Sequence, residues 1–103
     1  MSYDITITYT KSAESPANSL KTIPKFSASE LGITQEQIDN VHQLYPLLEY
    51  EARTIDDQLI IHISYTSKEV MDSRNATPEI ILFNQKISEW MTANHITRTE
   101  RVV

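Results

Sequence analysis

Glu51 and His62 are the two side chains of this sequence whose types, brought side by side, make an acid–base pair. A carboxylate beside an imidazole raises its pKa and orients its ring, and the imidazole can then move a proton near neutral pH. They stand eleven positions apart, so only a turn between two strands brings them together. An enzyme built on them also needs an anion-stabilising element and a concave site, and no spacing in the chain supplies either. The other histidines, His42 and His95, fall in different segments. No two share the i, i+4 relation of a helical metal ligand pair, so neither a metal nor a cofactor is expected.

The composition narrows the chemistry further. Gly32 is the single glycine among 103 residues, and there is no cysteine. Phosphate-cradling loops and nucleophile elbows need several glycines, because their backbone must approach a ligand closely at positive φ. Disulfides, thiolate metal sites and thiol nucleophiles are excluded together. The net charge of −5 opposes binding to nucleic acid or anionic lipid. No apolar run approaches the roughly 20 residues of a membrane span. Met1-Ser2-Tyr3-Asp4 places no basic cluster before an apolar stretch, so no signal peptide is expected and a cytoplasmic location is.

The elements that must position these residues follow from periodicity. Tyr3 to Thr10 alternates apolar and polar side chains and is β-branched and aromatic, the pattern of a half-buried strand with Tyr3, Ile5, Ile7 and Tyr9 inward. Residues 11–26 show no sustained period and contain Ser15-Pro16 and Ile23-Pro24, which predicts a long loop, a candidate binding element. Ser27 or Ser29 caps a short turn ended by Gly32. Thr34 and Gln37 then form a capping box before a helix carrying Ile38, Val41, Leu44 and Tyr45, stopped by Pro46.

Leu48, Tyr50, Ala52 and Thr54 alternate with Glu49, Glu51, Arg53 and Ile55. After Asp56-Asp57, Leu59, Ile61, Ile63 and Tyr65 alternate with Ile60, His62, Ser64 and Thr66. A two-residue turn pairs Thr54 with Leu59, Ala52 with Ile61, Tyr50 with Ile63 and Leu48 with Tyr65, which puts both apolar rows on one face and Glu51 opposite His62. Asp-Asp is a poor two-residue turn, since both positions want positive φ, so a four-residue loop is the alternative. A polar helical turn, Lys68 to Arg74, precedes Thr77-Pro78, a cap followed by proline at the first helical position. The helix through Met91 aligns Ile80, Phe83, Ile87, Trp90 and Met91. Ile96 to Val103 reads as a charged edge strand.

This order predicts one α+β domain over residues 1–103, a four-stranded antiparallel sheet with two helices on one face in β-α-β-β-α-β order. The expected arrangement is a ferredoxin-like sandwich with the first and third strands central. The opposite face then carries Asp4, Thr6, Thr8, Glu49, Glu51, Arg53 and His62. Ala28 to Ile38 resembles the core of a helix-turn-helix, with Ala28 and then Gly32 four residues on. The would-be recognition helix, however, bears Glu36 and Asp39 and no Lys or Arg, so phosphates repel it.

Between Phe26 and Thr66 seven acidic residues face Arg53 alone. That clustering can steer a basic partner. The expected function is therefore a small protein-binding module, an inhibitor or immunity-type protein that blocks a basic site through Glu49, Glu51, Asp56, Asp57 and His62. The alternatives are self-association through the sheet face or edge strand, giving a homodimer, and a small enzyme using Glu51 and His62.

Overall fold

The computed structural model describes residues 2–16, 20 and 23–103. Its elements run β1 (Tyr3–Lys11), α1 (Ala28–Leu31), α2 (Gln35–Leu44), β2 (Leu47–Ile55), β3 (Gln58–Tyr65), α3 (Lys68–Asn75), α4 (Pro78–Ala93) and β4 (Ile96–Val102). The four strands form one antiparallel sheet in the order β2-β3-β1-β4, with β1 and β3 central. The fold is the α+β ferredoxin-like sandwich, with α1 and α3 as short additions to the two long helices. The molecule measures only 17 Å along its shortest axis. That is the depth of two layers, so one face of the sheet is left uncovered.

Alternation decides which face is covered. Ile5, Ile7 and Tyr9 of β1 and Leu59, Ile61, Ile63 and Tyr65 of β3 are buried, and Ile61 is 1% exposed. Each inward β1 residue lies across from an inward β3 residue, with Ile5 paired to Ile63 and Ile7 to Ile61. A shift of one residue would turn one of these rows to the outside. Ile87 of α4, with Phe83, Trp90 and Met91 half-buried beside it, covers this row. Tyr9 meets Trp90 edge to face at 5.7 Å between ring centroids.

The hairpin follows the expected register from Thr54 opposite Leu59 to Tyr50 opposite Ile63. Its turn is the two-residue form, with Asp56 at φ 51°. Asp57 does not share the positive φ, and its carbonyl accepts the Lys11 amide at 3.0 Å. One pairing differs. A bulge between Leu47 and Glu49 places Leu47, not Leu48, opposite Tyr65. The extra residue is left unpaired by the ladder, and Leu48 lies 53% exposed.

The loop expected over 11–26 begins later, because β1 continues through Lys11. Residues 17–19, 21 and 22 of that expectation lie outside the described residues. Leu20 is buried in the core, and Ile23 and Phe26 pack against it. Ser27 caps α1, which is four residues long and cannot serve as the bracing helix of a helix-turn-helix. Gly32 ends it at φ 75°. The amides of Gly32 and Ile33 reach back to the carbonyls of Ser29 and Ala28, the pair of bonds that closes a Schellman turn. At the start of α2, Thr34 and Gln37 form the predicted reciprocal capping box. Among the described residues, no helix is long and apolar enough to cross a membrane.

Candidate functional site

The two faces of the sheet carry different chemistry. On the uncovered face, Glu51 lies across from His62 and Thr6 across from His62 on the other side. With Arg53 and Ile60 these residues bound a shallow recess of about 230 Å³. No hydrogen bond or ion pair joins Glu51 to His62 among the described residues. Glu49 precedes them on the same face. Asp56 and Asp57 sit at the hairpin tip, beyond Arg53, and Lys11 Nζ lies 3.8 Å from the Asp57 carboxylate. The five residues singled out from the sequence therefore fall in two groups, Glu49, Glu51 and His62 at mid-strand and the two aspartates at the turn. Further along this face the Ser64 hydroxyl donates to the carboxylate of Asp4.

Between the covered face and the helices lies a larger slot of about 680 Å³. The buried Ile5, Ile7, Ile61 and Ile63 lie beneath it as its floor, and Ile80, Phe83 and Met91 of α4, half-buried around the buried Ile87, offer the apolar surface that reaches into it. The floor is flat because it is a sheet, and apolar because every second residue of β1 and β3 is. Tyr9, Tyr50 and Tyr65 add three phenols to the lining. Tyr50 stands at the β2 side, 50% exposed, so the slot opens there. At the β4 side it is bounded by Arg98 and Glu100, which pair with each other at 3.3 Å.

The third polar group of the slot is built by two helices. Arg74 lies in the last turn of α3 and is 8% exposed. Its guanidinium donates to the Tyr45 carbonyl at 2.9 Å and lies 3.4 Å from His42 Nδ1. Tyr45 is the C-cap of α2, so the bond fills an orphan carbonyl where a cation is favoured. Burial holds Arg74 below its ordinary pKa, yet guanidinium stays charged in proteins. Partial desolvation of its ring, and next the charge of Arg74, lower the pKa of His42, although the residue stands exposed at the end of α2. Burial raises that of Tyr65, while Arg74 pulls it the other way. One end of the slot thus offers a fixed cation, a neutral imidazole and a protonated phenol. Among the described residues, no group of three His, Cys, Asp or Glu side chains is placed to hold a metal ion.

Sequence reasoning missed this site. The residues of α3 look polar throughout, but Val70, Met71 and Arg74 stand at i, i+4 and i, i+3 spacing, which places Arg74 on the inward side of the helix. That spacing was the available signal.

No protein-family model matches the chain, and no curated protein matches it in sequence. Solved structures do share its fold. A dimeric ferredoxin-like protein from an uncultured marine organism superimposes with a TM-score of 0.59 at 15% identity, covering 100% of this chain and 94% of its own. A proposed antibiotic biosynthesis monooxygenase from Deinococcus radiodurans gives 0.55 at 14% identity, with 98% and 90% covered. A Bacteroides thetaiotaomicron protein for which oxidoreductase activity has been suggested gives 0.54 at 11%, with 99% and 97% covered. Likenesses this remote in sequence define the class of fold, ferredoxin-like α+β, over the whole chain.

Proposed function

We propose that the protein binds a flat organic molecule in the slot between its sheet and α4, and that oxidation of this molecule is its reaction class. The observation that carries the reading is the slot itself, about 680 Å³, lined half by apolar residues and half by polar ones that include three tyrosines, Arg74 and the Arg98–Glu100 pair. Small-molecule sites are concave and of this size. The suggested oxidoreductase and monooxygenase activities of proteins sharing the fold supply the reaction class. Titration with 2-naphthol, followed by the methyl NMR signals of Ile61 and Ile63, tests the binding. Saturable shifts of these floor residues are expected; their absence at millimolar probe, with shifts elsewhere or nowhere, rules the slot out.

A second reading rests on the exposed acid of the hairpin. Glu49, Glu51 and Asp56 make no ion pair among the described residues, and the sheet face beside them is uncovered. A basic protein partner, blocked or steered by this patch, fits those charges. A second copy of the chain also fits the bare face, and one of the proteins sharing the fold is dimeric. Reversing Glu49, Glu51, Asp56 and Asp57 to lysine abolishes capture of a basic partner from lysate if the first holds. Light scattering gives a dimer mass if the second does.

A further inference from the structure

Arg74 is a buried cation without a carboxylate. It is 8% exposed, and the groups that hold its guanidinium, the Tyr45 carbonyl and His42 Nδ1, are neutral acceptors. No Asp or Glu lies within ion-pair distance of it among the described residues. Removing a full charge from water is costly, and neutral acceptors compensate it only in part. The other arginine of the slot, Arg98, is already paired with Glu100 at 3.3 Å. The slot is therefore polarised, with a neutralised pair at the β4 side and a net positive charge at the α2–α3 side.

A guanidinium has five N–H donors in a planar fork. Two are engaged here, one by Tyr45 and one by His42, and the side chain lines the slot. The Tyr65 phenol lies near enough to feel its charge and makes no hydrogen bond to another described residue. A carboxylate entering the slot can thus meet a cation and a phenolic donor, while an attached ring lies against the half-buried Ile80, Phe83 and Met91. Resting on the small-molecule reading above, we infer that the slot selects flat aromatic carboxylates, with Arg74 as the anchor of the anionic group.

The carbonyl bond to Tyr45 also lets Arg74 brace α2, so the test must separate binding from bracing. Calorimetric titration of the unmodified protein with 2-naphthoate and with 2-naphthamide at neutral pH does so without any substitution. The two probes share shape and ring and differ in charge. The carboxylate binds about tenfold to a hundredfold more tightly, the range expected of a hydrogen bond to a charged group. In Arg74→Gln that preference disappears while the amide still binds, and in Arg74→Lys part of it returns, with the fold of each variant checked by circular dichroism. Equal affinities in the unmodified protein, or a preference that survives in Arg74→Gln, overturn the anchor and leave the slot standing. Failure of both probes to bind overturns the slot, and the anchor with it.

Discussion

The guanidinium of Arg74 and Nδ1 of His42 lie 3.4 Å apart between α3 and α2. Because a guanidinium only donates, the imidazole must accept at Nδ1 and carry its proton on Nε2. One contact thereby sets the tautomer of His42, ties the end of α3 to α2 and keeps a positive charge at the edge of the slot. Protonating His42 would replace this bond by repulsion.

The pH dependence of stability follows from that contact. Partial desolvation of the ring first, and Arg74 second, hold His42 below the ordinary histidine value of 6.5, with Asp39 acting more weakly in the opposite direction. Between the lowered native value and about 6.5 the unfolded chain binds more protons than the native one, so stability rises with pH across that window. It is lost as the pH falls from about 6.5 through the native value. Urea midpoints at pH 7.5 and pH 5 therefore differ less in His42→Asn than in the unmodified protein. NMR titration places the native His42 pKa below 6.5; a value at or above it removes the basis of the prediction.

Gly32 tests the backbone in isolation. At φ 75° it occupies the left-handed region, and a Cβ built there meets nothing within 4 Å. Gly32→Ala therefore carries only the conformational penalty, about 1–2 kcal/mol by chemical denaturation. Gly32→Asn loses less, because asparagine tolerates that region. An alanine variant as stable as the parent would mean that α1 ends differently.

Glu51 and His62 are register partners without a bond, on the face opposite the slot. Glu51→Gln and His62→Ala each change stability by less than about 1 kcal/mol, as exposed cross-strand pairs do. Both leave 2-naphthol binding unchanged, since the sheet separates them from the floor isoleucines. Loss of binding in either variant would place the ligand on the outer face instead.

These contrasts show what the sequence carried and what it did not. The hairpin register was legible because two alternating rows constrain one turn, and it failed at Leu48, where a bulge breaks the period and period is the only signal. The apolar side of α4 was legible as well, since Ile80, Phe83, Ile87, Trp90 and Met91 share one stripe. Periodicity says which residues turn inward but not how closely the two layers meet, so it cannot tell a core wall from the wall of a slot. Arg74 stayed hidden for a related reason. Its burial depends on where α3 packs, and a charged residue in a short polar helix reads as solvated until Tyr45 and His42 are seen beside it.

Ser88 offers a way to close the slot without disturbing the fold. It lies on α4 one residue beyond the buried Ile87, lines the slot and is exposed, so it stands where the slot meets solvent. Its side chain makes no hydrogen bond among the described residues; its carbonyl accepts from the Thr92 hydroxyl at 3.1 Å, a bond that substitution leaves in place. Ser88→Trp therefore shifts stability by only about 0.5 kcal/mol, as surface changes usually do, while the indole fills the mouth of the slot that a ligand would otherwise occupy. Calorimetry is expected to show 2-naphthol binding weakened by about tenfold or more, the equivalent of losing one or two kcal/mol of ring burial. If the variant stays folded and binds as before, the probe enters by another route or occupies another site, and the slot loses its claim as the ligand pocket.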